Sequence, residues 1–279
     1  MNLSERLKQY EDLGYTVFEN VYSQDAMASW RDRYDDMVKR ATPPNSEVPK
    51  SWLSSTFEYE PVLMLPVVNN PTILDFAERV MGPLLQLDNL TFMAFPSVDR
   101  ASADGTVTLW HRDRFGRVPR GNGYMVPWSC NAITYLQDLT EEFGPLRVVP
   151  GSHRMPLTVA PEERRTPRSD ELVLNVKAGD VVFTHCNLLH SGTPNTSGQP
   201  RYFLSVNYIR TGLRTLDNHN GPAVQTVLKW ARERQDRRLM RLFGEDPLFE
   251  ARANAHFTID EDAMWDNWIK EDRAALLDK

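Results

Sequence analysis

Cysteine is nearly absent. Cys130 and Cys186 are the only two in 279 residues. Two thiols without a CxxC spacing are too few for a disulfide framework, and they suit a reducing cytoplasm. No run approaches the ~18–20 apolar residues of a membrane span. The N-terminal stretch MNLSERLKQYEDLGY has no apolar core of signal-peptide type. A basic surplus is missing too: the formal net charge is −6, which argues against a general nucleic-acid binder. Internal repeats, a low-complexity tail and a dividing linker are also absent. The expectation is one domain over residues 1–279, cytoplasmic, a monomer or homodimer, with neither nucleic acid nor membrane as partner.

What is present falls into three textures. Residues 3–13 have Leu3, Leu7, Tyr10 and Leu13 at helical spacing, with Ser4 near the start and Gly14 as the stop. YTVFENV alternates like a strand. SQDAMASWRDRYDDMVKR predicts a helix capped by Ser23 and ending near Arg40. ATPPNSEVPKS predicts a loop. NPTILDFAERVMG predicts a helix with Asn70 as cap, Pro71 in the first turn and Gly82 past its end. From about 85 to 210 short β-like runs alternate with turns: LDNLTFMAF, VTLWHRD, NAITYLQDL, LRVVPGS, LVLNVKAGDVVFTH and RYFLSVNYIR. No helix there is long enough for a crossover, so a sandwich or barrel is expected rather than a parallel sheet. AVQTVLKWARERQDRRLMRLFG and DEDAMWDNWIKEDRAALLDK read as C-terminal helices packing on that β core, or as a dimer face.

The chemistry gathers at TLWHRDRFGR, residues 108–117. On a strand His111 and Asp113 project from one face, so an imidazole and a carboxylate reach one ion together. Candidates for a third ligand are His153, His185, His190, His219 and His256. His190 stands out in LLHSGTPNTSGQPR, followed by a turn rich in Gly, Pro, Asn and Ser and then by Arg201. His185 is the rival, at opposite strand parity. Two histidines and one carboxylate form a facial triad that leaves three positions open on octahedral Fe(II), although the donors alone would also suit Mn(II) or Zn(II). Arg201 is suited to a bidentate grip on the far carboxylate of 2-oxoglutarate. His-x-Asp by itself is a weak signal, and most lone histidines are structural or solvated. His219 and His256 take that solvated reading by default.

The joint pattern is far more specific. WHRD (110–113), EEFGPLRVVPGSHR (141–154), AGDVVFTHCNLLHSGTPNTS (178–197) and Arg201 resemble the phytanoyl-CoA dioxygenase-like (PhyH) branch of Fe(II)/2-oxoglutarate-dependent oxygenases. The resemblance runs nearly end to end. It implies a mainly β fold, a double-stranded β-helix (jelly roll, cupin-like) core over roughly 85–210 with flanking α-helices. It implies His111, Asp113 and His190 as catalytic metal ligands, Arg201 as the 2-oxoglutarate anchor, O2 as co-substrate and ascorbate as a stimulant. His153 in PGSH reads as a loop-shaping residue, which the family pattern supports. Related halogenases replace the carboxylate ligand by a small residue, so Asp113 argues against halogenation.

Further contacts are expected around this centre. Asn131, on CNAITYL, is placed to bond the co-substrate, with Ser205 sharing strand parity with Arg201, and Thr134 a weaker candidate at opposite parity. Routine sheet hydrogen bonding explains Thr134 and Ser205 equally well. Arg112, Arg114, Arg117 and Arg120 cluster near the metal strand of an acidic chain, which suggests a mouth for a small anionic substrate; a solvated loop is the plainer account. Arg112 points away by parity, so Arg114 is the substrate candidate. Trp110, Phe115, Tyr124 and Trp128 are pocket or core aromatics, Tyr124 and Trp128 being the substrate contacts of choice. Residues 114–128 read as a loop suited to covering the substrate. The expected reaction is hydroxylation of a small molecule at an unactivated C–H bond with release of succinate and CO2. Desaturation, cyclisation or epimerisation share the same triad. A non-catalytic jelly roll that binds 2-oxoglutarate or a metabolite, and a Zn(II) or Mn(II) hydrolase or isomerase, are the competing classes.

Overall fold

The computed structural model describes residues 1–44, 51–114, 118, 123–256 and 258–277. They form two compact units, one of residues 1–53 and 91–205, the other of 54–90 and 206–279. Helices in chain order are α1 (Leu3–Leu13), α2 (Gln24–Ala41), α3 (Pro61–Val68), α4 (Pro71–Met81), α5 (Arg100–Ala103), α6 (Pro222–Glu233), α7 (Arg237–Leu242), α8 (Phe249–Ala253) and α9 (Glu261–Ala275). Strands are β1 (Tyr15–Phe18), β2 (Trp52–Leu53), β3 (Leu85–Phe95), β4 (Ser129–Tyr135), β5 (Leu146–Val148), β6 (Leu172–Leu174), β7 (Val181–His185), β8 (His190–Gly192) and β9 (Arg201–Arg210).

In the first unit α1 starts at Asn2 rather than at Ser4. The Asn2 side chain accepts the Glu5 N–H at 3.0 Å and the Glu5 carboxylate accepts the Asn2 N–H at 2.9 Å, a reciprocal capping box. Ser23 caps α2 as expected, its hydroxyl accepting the Ala26 N–H at 3.2 Å. The loop expected at 41–51 lies partly outside the described residues. The strands make a six-stranded sheet, β1-β7-β4-β9-β3-β2, and a three-stranded sheet, β6-β5-β8. β7 pairs antiparallel with β1 and β4, and β5 pairs antiparallel with β6 and β8. Ile133, Tyr135 and Val182 of the larger sheet pack with Leu146 and Val148 of the smaller one. This is the expected jelly roll. Alternation is weak in β4 and β7 because every residue of both strands is buried, as happens when both faces of a strand are covered.

One expected strand is different. VTLWHRD forms no regular strand; of its residues only His111 bridges, to His190. The turn before β7 is tight. The Val21 and Tyr22 N–H groups both donate to the Gly179 carbonyl, at 3.0 and 3.2 Å. Gly179 has φ +86, and a Cβ there would lie 2.3 Å from the Tyr22 carbonyl oxygen. Only glycine satisfies both demands.

In the second unit α4 runs from the Asn70 cap to Gly82, as expected. α3 is a helix the periodicity does not reveal, since PVLMLPVV has no polar face and carries Pro66 inside. The expected single helix over 223–244 breaks. Gln235 adopts φ 55, and Asp236 caps a new helix by accepting the Leu239 N–H at 2.9 Å. Leu239 and Leu242 are buried in this unit, while Trp230 is exposed. Arg241, 1% exposed, donates to Asp246 at 2.7 Å, to Asp272 at 2.6 Å and to the Pro83 carbonyl at 3.0 Å. Arg252 donates to both oxygens of Asp272, at 2.8 and 2.9 Å. His219 is not solvated as expected: it is half-buried, its ring 5.7 Å from that of Phe243. His256 is exposed. Among the described residues no helix is long and apolar enough to cross a membrane.

Two outcomes follow from this packing. Gly179→Ala lowers the melting midpoint by roughly 4 °C or more, the scale of ~2 kcal/mol of backbone strain; a scanning-calorimetry trace that overlays the parent would refute the argument. Asp272→Ala leaves two buried guanidinium groups without their shared acceptor and costs about 3–5 kcal/mol, measurable as a lower urea midpoint.

Candidate active site

His111 and His190 face each other across a reciprocal backbone pair. His111 N–H donates to the His190 carbonyl at 2.9 Å, and His190 N–H donates to the His111 carbonyl at 3.0 Å. Residues so paired in an antiparallel bridge send their side chains to the same face. The two imidazole centroids are consequently 4.3 Å apart. Each ring is held by the carbonyl two residues earlier: His111 Nδ1 by Leu109 at 2.8 Å, His190 Nδ1 by Leu188 at 3.0 Å. A carbonyl only accepts, so each Nδ1 carries the proton and each Nε2 is left as the donor atom for a metal.

Asp113 completes the group. Its Oδ1 lies 3.7 Å from His111 Nε2 and 3.3 Å from His190 Nε2. Donor atoms of the three residues all lie within 4.8 Å of one another. Burial alone would push the Asp113 carboxyl up, but His190, His111 and an Asn131 hydrogen bond outweigh it and hold the group well below the ordinary carboxylate range. Burial opposes charge on His190, and Asp113 more than restores it, so its pKa is raised. Burial and the His190 charge lower His111, and Arg164 adds to that. The His190 side chain is 5% exposed and that of His111 44%, so the site opens on the His111 side. Two imidazole nitrogens and one carboxylate oxygen, with tautomers set by backbone, suit a first-row divalent ion with positions left for small ligands.

Arg201 heads β9 and is buried. One terminal nitrogen donates to the carbonyls of Phe143 at 3.0 Å, Thr193 at 2.8 Å and Gly144. Its Nε is buried with no hydrogen-bond partner among the described residues. The guanidinium lies 5.4 Å from the Phe95 ring centroid and lines a cavity of ≈330 Å³ together with Thr108, Arg165 and Asn195. An orphaned guanidinium donor beside a cavity fits a carboxylate ligand. Gly192, two residues past His190, leaves room there: a Cβ would come within 3.2 Å of Thr108 Oγ1 and 3.4 Å of an Arg201 terminal nitrogen.

Asn131 donates its amide to Asp113 Oδ2 at 2.8 Å, and the Ser205 hydroxyl donates to Asn131 Oδ1 at 2.8 Å. Thr134 is buried on the opposite face of β4. His185, the rival ligand, is far from the triad in role: its Nε2 bonds the Met125 carbonyl at 3.2 Å and its Nδ1 accepts the Asn187 N–H at 3.0 Å. Burial, then the His153 charge, lowers its pKa to about 3. His153 Nε2 bonds the Glu11 carbonyl at 3.0 Å, a structural tie between loop and α1. Tyr124 is half-buried against these two rings, at 6.3 and 6.4 Å, rather than at the triad. Trp128 is half-buried. Trp110 is core, packed with Val107, Val149 and Leu189, its indole donating to the Thr166 carbonyl at 2.8 Å. Arg112 turns inward to the Ser152 and Met155 carbonyls, at 3.2 and 3.0 Å. Arg114 is half-buried; Phe115, Arg117 and Arg120 lie outside the described residues.

Three participants escaped the sequence reading. Tyr135 shares a strand face with Asn131, and besides burial its hydroxyl feels both Arg201 and Asp113; the i, i+4 spacing along β4 was the available signal. Gly192 carried the same signal at i+2 from His190. Arg164 had none. Its segment lies along residues 107–110 through the Val107 N–H to Arg165 carbonyl and Trp110 N–H to Arg164 carbonyl bonds, both 2.9 Å.

The phytanoyl-CoA dioxygenase (PhyH) family model matches residues 10–203. Ectoine dioxygenase of Bordetella parapertussis is 25% identical over 231 residues, covering 71% of this chain and 72% of that protein. L-proline trans-4-hydroxylase of Streptomyces griseoviridis is 26% identical over 171 residues, 52% of this chain and 62% of that one. The crystal structure of HygX from Streptomyces hygroscopicus with nickel and 2-oxoglutarate bound superposes with a TM-score of 0.63 at 17% identity, over 76% of this chain and 89% of that one. The chain belongs to the phytanoyl-CoA dioxygenase (PhyH) family of Fe(II)/2-oxoglutarate-dependent oxygenases, and it is an enzyme of that dioxygenase class, with iron as cofactor and 2-oxoglutarate and O2 as co-substrates.

Proposed function

We propose that this dioxygenase hydroxylates a small anionic molecule at an unactivated C–H bond, converting 2-oxoglutarate and O2 to succinate and CO2. The observation that carries the reading is the complete His111–Asp113–His190 donor set, open to solvent on one side only. The two relatives named above are a dioxygenase and a hydroxylase of small metabolites. Iron and 2-oxoglutarate, when bound, supply the oxygen activation. The rest is work for this chain's side chains. His111 and His190 present Nε2, and Asp113 presents Oδ1. Arg201 takes the far carboxylate of the co-substrate with its free Nε edge, on the side of the cavity that Phe95 and Thr108 line. Tyr135 flanks that path. The buried His190 side excludes water, which protects a reactive centre from side reactions.

Substrate enters on the His111 side in this reading. Arg164 is exposed there and shows no ion-pair partner among the described residues. Arg114, close in sequence to the triad, adds a second positive charge. An anion is therefore drawn to the mouth of an otherwise acidic protein. Two buried cysteines outside any disulfide go with cytoplasmic residence in this reading.

The tests are direct. With Fe(II), 2-oxoglutarate and O2, a panel of carboxylate, phosphonate and phosphate metabolites should contain one that drives succinate formation, and Asp113→Ala should abolish it. Turnover confined to cationic or neutral compounds would refute the anionic class. Arg201→Lys should raise the KM for 2-oxoglutarate roughly 10- to 100-fold, the loss of one charge-assisted contact; an unchanged KM would remove Arg201 from the co-substrate site. Arg164→Ala should raise the substrate KM and leave kcat near the parent value, as expected when only uniform binding is lost.

A further inference from the structure

Asp113 is the ligand that no backbone ladder holds. His111 and His190 are fixed by their reciprocal pair, whereas Asp113 lies in a bend two residues on. A carboxylate there has two equivalent oxygens. It can meet a metal through one of them or chelate it through both. Chelation would consume a coordination position that a co-substrate or O2 requires. Some other contact must choose between the two modes.

Two side chains on neighbouring strands make that contact. Asn131 on β4 donates to Asp113 Oδ2 at 2.8 Å, and Ser205 on β9 donates to Asn131 Oδ1 at 2.8 Å. Both are well buried, 5% and 6% exposed. The amide orientation follows from chemistry. A carboxylate only accepts, so the amide presents its N–H to Asp113 and its oxygen is left for the hydroxyl. With Oδ2 engaged, Oδ1 is the oxygen that faces His190 and His111.

We infer that Asn131 and Ser205 form a positioning relay that holds Asp113 as a one-oxygen ligand and keeps a coordination position free. The relay rests on the triad being the metal site. Asn131 thus serves the carboxylate before it serves any co-substrate. Ser205 reaches Asp113 through Asn131. Removing either member leaves a buried polar group without its bond and frees the carboxylate to rotate.

Cobalt(II) affinity of the metal-free protein reads this without 2-oxoglutarate, substrate or turnover. Asn131→Ala should weaken Co(II) binding about 10- to 100-fold, the usual cost of losing an outer partner of a metal ligand. Ser205→Ala should weaken it less, and Ser205→Thr, which keeps the hydroxyl, should bind like the parent. The double variant Asn131→Ala/Ser205→Ala should bind no worse than Asn131→Ala alone, because the two act in series. Melting of each metal-free variant separates lost fold from lost orientation; if Asn131→Ala does not fold, the Ser205 pair carries the test. Affinities within about twofold of the parent in both alanine variants, with only 2-oxoglutarate binding to the Co(II) form impaired, would overturn the relay and make Asn131 a co-substrate contact. Additive losses would overturn it as well. A parent protein that binds no Co(II) would instead sink the metal-site reading itself.

Discussion

The reciprocal hydrogen bonds between His111 and His190 are the constraint on which the site depends. They join a segment with no regular strand structure to the first residue of β8. Because the bridged residues share a face, one backbone event places two imidazoles side by side. The neighbouring carbonyls of Leu109 and Leu188 then set both tautomers. Strand β8 is itself held by β5, with Val148 opposite His190 and Leu146 opposite Gly192. Val148 and Leu146 belong to the apolar core between the sheets. The two imidazoles of the triad are thus anchored to hydrophobic packing through three residues of ladder, and Gly192 on the same strand lies beside Arg201.

The legible part of the molecule was the part written in local spacing. His111 and Asp113 are two apart, Gly14, Gly82 and the Asn70 and Ser23 caps punctuate helices directly, and Arg201 follows His190 at a short interval. Pattern recognition could connect those. What spacing cannot carry is partner identity across the sheet. Asn131 was expected at the co-substrate, but its partner is decided by which loop residue lies opposite, eighteen positions away in sequence. Trp110 read as pocket or core, and only the Thr166 carbonyl and an apolar cluster decide for the core. The segment containing Arg164 carries no motif at all; only backbone bonds to Val107 and Trp110 put it beside residues 107–110. In the second unit α3 is uniformly apolar and so lacks a period, and the break at Gln235 is set by Asp236 capping, which competes with continuation of a helix.

Arginine does two different jobs in the structure, and clustering in the sequence does not say which. Arg112 and Arg201 are tied to backbone carbonyls, so their positive charge is used to hold loops and one of them keeps a donor edge in reserve. Arg241 and Arg252 are buried against Asp246 and Asp272, where charge is neutralised inside one unit. A count of arginines near a motif does not distinguish these cases. Burial and acceptor identity do, because a guanidinium saturated by carbonyls or carboxylates offers nothing further to a ligand.

The charge balance of the metal-free triad follows from the same reasoning. A buried carboxylate without a partner would be driven toward its protonated form. Asp113 remains ionised because His190 and His111 lie against it and Asn131 donates to its second oxygen. His190 is raised by that carboxylate, and His111 is lowered by its burial and by His190. These shifts share one geometric cause, the 3.3 Å approach of His190 Nε2 to Asp113 Oδ1. That approach is built by the His111–His190 backbone pair and by the Asn131 amide on the second carboxylate oxygen.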